Sequence, residues 1–243
     1  MKKLLVFLIC MTLCLSILSG CNTKKPPEEE ASVSLEEGMA GLAQFFKDEN
    51  FVPGLSQSDL KKQMEKYSYE GEKITELLPG EHGDGLFGGG YSAIGSLFGF
   101  VNNYSRSKDA PEANYENSFY SLVPLDGLTM PLEISFGDSL TTVCEKTGLS
   151  EDWREGLVPG EKKTLYENGQ ITVTLLHNEQ ITESSYVLYD SNYSYILKYD
   201  KTYESTRVNG SPVTVTETVK FGFVGEGEPL VYFYVSVNEN YEV

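Results

Sequence analysis

Residues that build catalytic and metal centres are scarce in this sequence. Its 243 residues include two histidines, His82 and His177, and neither has a partner at the spacing of a metal-ligand pair. The glycine-rich run before Tyr91 lacks the lysine of a phosphate loop, and Ser92 lacks the final glycine of a nucleophile elbow. We therefore predict that the protein is not an enzyme and that it holds no metal and no cofactor.

Cysteine is almost absent from the part of the chain that we expect to fold. Of four cysteines, Cys10 and Cys14 lie in an apolar N-terminal run, Cys21 follows shortly after that run, and Cys144 stands alone. A single cysteine cannot form an internal disulfide, so the folded part must depend on its apolar core. Cys144 falls on the apolar side of a predicted helix and reads as a small buried hydrophobe.

Basic residues are also few. The chain has 19 Lys and Arg against 36 Asp and Glu, which gives a formal net charge of -17. Such a chain is repelled by the phosphates of nucleic acid. We therefore exclude nucleic acid as a partner.

The N-terminus carries the most specific motif of the sequence. Lys2 and Lys3 precede an apolar run from Leu4 to Ile17, which has the form of a signal-peptide core and is too short to span a bilayer. Leu18-Ser19-Gly20-Cys21 follows and resembles the lipobox of bacterial lipoproteins. The resemblance implies cleavage before Cys21 and fatty acyl chains such as palmitate on that cysteine. Two chains would anchor the protein stably on the extracytoplasmic face of the cell membrane; the alternative is an ordinary cleaved signal with an incidental cysteine.

Composition divides the chain into four parts. The second part contains a proline pair and a run of three glutamates and has no apolar period, which is typical of a solvated tether. We predict a signal peptide at 1–20, a lipidated cysteine with a flexible tether at 21–34, and two folded units at 35–128 and 129–243.

Each folded unit begins with a helical pattern. Leu35, Met39 and Leu42 recur at helical spacing in the first unit. In the second, Asp138 is expected to cap a short helix that ends at Gly148, where a left-handed conformation is favoured. Alternating strand patterns follow, with turns at Asn168-Gly169 and Asn209-Gly210. The sequence predicts an α+β fold, with helices packed on one face of a mainly antiparallel sheet, as two possible tandem helix-then-strands units.

The second helical segment resembles a known repeat. Ile134, Gly137, Ser139, Val143 and Gly148 are spaced as in the repeating unit of the β-lactamase-inhibitor protein and of small outer-membrane assembly lipoproteins. The chain departs from that pattern directly afterwards, where a Pro-containing turn is expected. In the inhibitor protein, two such units form a concave, aromatic surface that grips a partner protein. The resemblance implies a protein-binding role for the present chain.

Tyrosine is abundant, with 16 copies, and it concentrates in the last strands. Tyr232 and Tyr234 alternate with apolar residues, and Tyr193, Tyr195 and Tyr199 have the spacing of one strand face. We expect these five tyrosines to form the solvent side of the sheet, because tyrosine offers rigid contact area with a polar tip. The alternative is that tyrosine serves only as a good strand former.

Three functions are consistent with these features. The first is a membrane-anchored, non-enzymatic binding module that uses the tyrosine-bearing face to hold an extracellular protein or a glycan. The second is a cell-wall hydrolase, because carboxylates are numerous and their pairing in space cannot be read from the sequence. The third is a structural component of a membrane complex.

Overall fold

The computed structural model describes residues 35–48, 59, 62–63, 65–73, 78–79, 89–93, 97–106, 112–181, 189–207, 209–225 and 227–242. The predicted signal peptide, the tether with Cys21, and His82 lie outside these residues. Val33–Val243 form one compact unit.

The described elements are two α-helices and eleven strands. The helices are α1 (Leu35–Asp48) and α2 (Leu140–Lys146). The strands are β1 (Ser68–Tyr69), β2 (Glu72–Lys73), β3 (Leu78–Pro79), β4 (Gly89–Ala93), β5 (Phe98–Arg106), β6 (Glu112–Ser121), β7 (Lys162–Asn168), β8 (Ile171–His177), β9 (Tyr195–Thr206), β10 (Pro212–Phe223) and β11 (Leu230–Glu242). Short 3₁₀ turns cover Pro131–Glu133, Glu151–Arg154 and Asp190–Asn192. The predicted α+β class is confirmed.

Nine of the described strands form one antiparallel sheet in the order β3-β4-β5-β6-β11-β10-β9-β8-β7, and β1 and β2 form a separate pair. Strand β11 joins the two predicted units, because it pairs with β6 on one side and with β10 on the other. The boundary that we predict at residue 128/129 therefore does not separate two sheets. The chain does run from a helix into strands twice, as its sequence predicts.

Both helices pack on one face of the sheet, which we call the inner face. Met39, Leu42, Phe45 and Phe46 of α1 share one core cluster with the buried residues of α2. The rings of Phe45 and Phe233 on β11 meet edge to face, with centroids 5.6 Å apart. Alternate strand residues reach this core because side chains alternate between the two faces of a sheet.

Two glycines that weaken α1 as a helix explain its position. A Cβ atom on Gly38 would lie 2.6 Å from the carbonyl oxygen of Thr147, and one on Gly41 would lie 2.7 Å from Cδ2 of Leu132. The absence of side chains at these positions lets α1 approach the end of α2 and the 3₁₀ turn Pro131–Glu133 closely. Helix propensity is given up here for packing.

The start of α2 differs by one residue from the prediction. Ser139, not Asp138, is the N-cap, and its hydroxyl accepts a hydrogen bond of 3.1 Å from the Thr142 amide. The Asp138 carboxylate instead accepts from the Ser135 amide and from the Lys146 ammonium, both at 2.8 Å. The predicted left-handed residue at the other end is confirmed, since Gly148 has a φ of 75°.

Strand β9 is also longer than predicted. The sequence suggests two strands at 193–199 and 202–208, whereas one strand runs from Tyr195 to Thr206 and pairs along its whole length with β10. The charged pair Asp200-Lys201 is tolerated because each side chain has a partner for its charge. Asp200 accepts from Thr218 at 2.6 Å on one face, and the Lys201 ammonium lies over the ring of Tyr203 on the other.

Candidate functional site

The five predicted tyrosines do not share one surface. Tyr232 and Tyr234 point to the face opposite the helices, which we call the outer face, and Tyr193 joins them there. Tyr195 and Tyr199 belong to the inner face. The prediction that Tyr193 lies with Tyr195 and Tyr199 is wrong, because Tyr193 precedes β9 in a turn and escapes the alternation of the strand.

The expected exposure of these rings is wrong as well. The exposed fractions are 5% for Tyr193, 1% for Tyr199, 0% for Tyr232 and 9% for Tyr234. Tyr195 is half-buried. Tyr199 is a core residue whose hydroxyl donates to Thr147 Oγ1 at 2.5 Å, and burial holds the pKa of its phenol well above the ordinary value.

The outer-face tyrosines bury one another around a glycine. The rings of Tyr193 and Tyr232 stack with centroids 4.5 Å apart and planes 11° apart. Gly222 on β10 lies directly opposite Tyr232, and a Cβ there would come within 3.0 Å of both rings. The rings thus fill the space that Gly222 leaves in the sheet, an arrangement known to compensate strand glycines. We call Tyr120, Tyr193, Tyr232 and Tyr234 the tyrosine cluster.

Polar contacts hold the tyrosine cluster in place. The Tyr234 hydroxyl donates to Glu116 at 2.6 Å, and the Lys220 ammonium lies 5.2 Å from the centroid of the Tyr234 ring. Lys220 also pairs with Asp190 at 2.9 Å. Burial, followed by the negative charge of Glu116, raises the pKa of the Tyr234 phenol. Tyr234 is thereby kept as a neutral hydrogen-bond donor.

The hydroxyl of Tyr232 differs from that of Tyr234. The Tyr232 hydroxyl is fully buried and has no hydrogen-bond partner among the described residues. An unpaired buried hydroxyl costs about 1–3 kcal/mol of stability. The Tyr232 side chain therefore stabilises the fold through its ring and not through its hydroxyl group.

Beside the tyrosine cluster, the outer face carries short polar side chains in register, which we call the polar ladder. Its members are Ser118, Thr172, Thr174, Thr202, Thr214, Thr216, Thr218, Ser236 and Asn238. They alternate with inner-face apolar residues, so the ladder follows from the pleat. Thr172, Thr202, Thr214, Thr216 and Asn238 are half-buried. The other four members, Ser118, Thr174, Thr218 and Ser236, are buried.

Hydrogen bonds fix several members of the polar ladder. Thr202 and Thr216 hydroxyls are 3.1 Å apart on facing strands, and the Thr214 hydroxyl donates to Glu204 at 2.9 Å.

Our sequence interpretation missed this surface by following the tyrosines alone. The signal was present as Thr214-Val215-Thr216-Glu217-Thr218 and Thr172-Val173-Thr174, in which threonine recurs with period two.

A second polar group lies at the far end of the inner face. The Tyr203 hydroxyl donates to Glu217 at 3.0 Å, and Arg207 is salt-bridged to Glu239. Glu217 lies opposite Val237 on β11, so the two carboxylates are diagonal neighbours on adjacent strands. Burial and the charge of Glu217 raise the pKa of the Tyr203 phenol to about 12. This is one place where described carboxylates approach each other on one face.

Cys144 and His177, the remaining candidate residues that the structure describes, are held in packing contacts. Burial raises the pKa of the Cys144 thiol to about 12, which leaves it protonated and unreactive. His177 stacks on Tyr195 with ring centroids 4.5 Å apart. Within the described ranges, no three His, Cys, Asp or Glu side chains converge as metal ligands. The described helices include none that is both long and apolar enough to cross a membrane.

Comparison with protein-family models, with curated proteins and with solved structures gives no match for this chain. The resemblances to lipoproteins and to the β-lactamase-inhibitor repeat remain predictions.

Proposed function

We propose that the protein is a lipid-anchored, extracytoplasmic binding module that is not an enzyme and that holds a cell-surface glycan on the outer face of its sheet. The polar ladder is the observation that carries this proposal. Its half-buried hydroxyl and amide side chains lie on the face opposite the packed helices. Such groups are the natural donors and acceptors for the hydroxyls of a sugar chain.

The stiffness of this surface supports ligand binding. Threonine is branched at Cβ and has little rotamer freedom to lose when a ligand binds. The strands beneath are 12 residues long in both β9 and β10, and they pair without a break at Thr202 and Thr216. The tyrosine cluster borders the ladder and gives it a rigid support. In this proposal, the buried tyrosines position the binding surface and do not themselves touch the ligand.

The proposed site of action depends on the N-terminus. Leu18-Ser19-Gly20-Cys21 matches the lipobox at each position, and 13 residues separate Cys21 from the start of α1 at Leu35. Extended chain spans at most about 3.3–3.6 Å per residue, so the tether can hold the folded unit tens of ångströms from the membrane. That reach suits a protein that contacts wall or surface polymers.

The lipid anchor is tested in the native bacterium. We expect a palmitate analogue fed to the cells to label the protein, and the Cys21→Ser variant to remain unlabelled and leave the membrane fraction. Labelling of the variant, or none of the wild type, would disprove the anchor.

The binding surface is tested by removing hydroxyls without changing shape. The triple variant Thr172→Val, Thr202→Val and Thr216→Val keeps the branched side chains and replaces both partners of the Thr202–Thr216 contact, which limits the cost in stability. We expect retention on purified cell-wall polysaccharide to fall at least tenfold. Thr129→Val, at an exposed threonine outside the sheet, is the control. Equal retention of the triple variant and the wild type would exclude the polar ladder as a glycan surface.

A wall-acting hydrolase is the second candidate, and the Glu217–Glu239 arrangement is the observation that favours it. Each carboxylate is already bound, Glu217 by Tyr203 and Glu239 by Arg207. Because both carboxylates are already bound, their arrangement supports hydrolysis less strongly than the polar ladder supports glycan binding. Release of soluble sugar from wall polymer by the wild type, abolished by Glu217→Gln or Glu239→Gln, would establish the hydrolase.

A structural role in a membrane complex is the third candidate, and it requires a large apolar patch. Three large apolar side chains are exposed among the described residues, those of Val158, Ile181 and Tyr189.

A further inference from the structure

A groove runs beside the outer edge of strand β7, away from the polar ladder. It has a volume of about 290 Å³ and lies between β7 and the 3₁₀ turn Glu151–Arg154. Its lining is mixed, with apolar Leu149 and Leu165 and polar Asp152 and Thr164 among the residues that form it. This volume is close to the lower limit of small-ligand pockets, at about 300 Å³.

The wall of the groove is held rigidly. The Lys163 ammonium, from β7 itself, donates to the backbone carbonyl of Trp153 at 3.3 Å and to that of Glu155. The Arg154 guanidinium lies 4.1 Å from the centroid of the Trp153 ring and binds both carboxylate oxygens of Glu228, at 3.0 and 2.6 Å. A preformed wall lowers the entropy cost of binding a ligand.

The adjoining strand lies at the edge of the described sheet. Strand β7 ends the sheet, and none of the described strands pairs with it on the side away from β8. It is seven residues long, whereas β3 at the opposite edge has two residues, one of them Pro79. Edge lysines commonly deter pairing; of the two in β7, Lys163 is turned onto the groove wall and Lys162 is exposed. The backbone N–H and C=O groups of β7 can therefore accept an added strand.

The charge along β7 and its groove indicates which kind of added strand would bind there. The carboxylates of Asp152, Glu155, Glu161 and Glu167 are exposed on the groove and along β7, against one exposed ammonium, that of Lys162. The other nearby cations are engaged, Lys163 by backbone carbonyls and Arg154 by Glu228. A strand with alternating lysines or arginines would complement this surface.

We propose that the edge of β7 and its groove form a docking site for an extended, cationic peptide segment of a partner protein, which adds to the sheet as a tenth strand. Backbone hydrogen bonds would supply affinity, and the groove would take alternate side chains. This site lies outside the polar ladder and does not depend on glycan binding there.

The test uses the chain from residue 21 onward with Cys21→Ser, which removes the lipid. The probe is a fluorescein-labelled Val-Lys-Val-Lys-Val-Lys-Val peptide, and its Val-Glu counterpart is the charge control. We expect fluorescence anisotropy to show at least tenfold tighter binding of the lysine peptide. Hydrogen exchange at the β7 amides should slow when it binds. No binding of the lysine peptide up to millimolar concentration would overturn the proposal.

Matched variants separate docking from general attraction to an acidic protein. The double variant Asp152→Lys and Glu155→Lys should weaken binding at least tenfold. Glu145→Lys with Glu204→Lys changes the net charge equally at exposed positions elsewhere and should retain binding. Equal losses in both variants, or unchanged exchange at β7, would show non-specific attraction and reject the site. The threonine-to-valine triple variant should bind the peptide normally, so that failure of the ladder and failure of the edge site are distinguishable.

Discussion

The inner and outer faces of the sheet are built from alternate residues of the same strands, yet they are buried by different means. The inner face packs phenylalanine and aliphatic side chains against two helices. On the outer face, the described buried cluster consists of four tyrosines and Ile196, and hydroxyl side chains continue the surface beyond it. The comparison teaches that tyrosine here builds a small second core and does not mark a contact surface.

The two faces should therefore respond differently to the same kind of substitution. On the inner face, stability comes from apolar volume. On the outer face it comes from the fit of rings around one glycine and from the hydrogen bond at the tip of the Tyr234 ring. Each of the following substitutions removes one of these contributions.

Removal of a ring from the inner face should have the largest effect. Phe233 is fully buried and contacts the rings of Phe45, Phe119 and Phe221. Phe233→Ala is expected to lower the free energy of unfolding by about 3–5 kcal/mol, because it leaves a cavity among these rings. Urea denaturation followed by circular dichroism measures the change, with Thr216→Ala on the outer face as the control. A cost below 1 kcal/mol would mean that the helices do not close the inner core.

Addition of one methyl group on the outer face should come next. Gly222→Ala places a Cβ 2.8 Å from Cβ of Tyr232 and 3.0 Å from Cδ1 of Tyr193. Since the Tyr232 Cβ is tied to the backbone, it cannot move aside cheaply, and overpacking of this kind costs about 1–3 kcal/mol. The same urea titration measures it. If alanine is tolerated without loss, the ring stack does not lie tightly over Gly222.

The sequence specifies the broad fold because its signals are local. Periodicity gives the helix–strand order, and asparagine-glycine pairs give the turns after β7 and β9. It does not specify that β6 pairs with β11, because that contact joins residues about 118 positions apart, as between Glu116 and Tyr234. This pairing merges the two predicted units into one sheet.

The site was harder to predict for a different physical reason. Alternation tells which residues share a face, but it does not tell what covers that face. Tyr232 and Tyr234 are on the outer face as their spacing predicts, yet Tyr193 arrives from a turn and stacks on Tyr232. Asn178 fixes that turn by donating to the backbone carbonyls of Asp190 and Tyr193, at 2.7 and 2.8 Å. No periodic pattern encodes such a contact.

Two tyrosine-to-phenylalanine variants sharpen the comparison within the outer face. Tyr234→Phe removes a 2.6 Å bond to the Glu116 carboxylate and should cost about 1.5 kcal/mol, the lower value for hydrogen bonds to charged groups. Tyr232→Phe removes a buried hydroxyl that has no described partner, so it should be neutral or stabilising. Thermal and urea unfolding measure the stability of both variants against the wild type. If the two variants lose equal stability, the claim that Tyr232 stabilises the fold through its ring alone is wrong.

A pH dependence at the polar end of the inner face is expected only in alkaline solution. Tyr203 has a pKa of about 12 in the folded chain against an ordinary value of 10.0, chiefly because of burial and secondly because of Glu217. Between these values the unfolded chain has lost the phenol proton while the folded chain keeps it, so the free energy of unfolding falls as pH rises.

The contribution of Tyr203 is thus fully present below pH 10 and is lost as pH rises through about 12. The buried tyrosines of both faces add to the alkaline loss in the same direction, since their phenol pKa values are also raised. The difference between the wild type and Tyr203→Phe isolates the Tyr203 contribution. Urea midpoints measured from pH 9 to pH 12 should fall less steeply for the variant. Parallel slopes would mean that burial and Glu217 do not raise the pKa of the Tyr203 phenol in the folded chain.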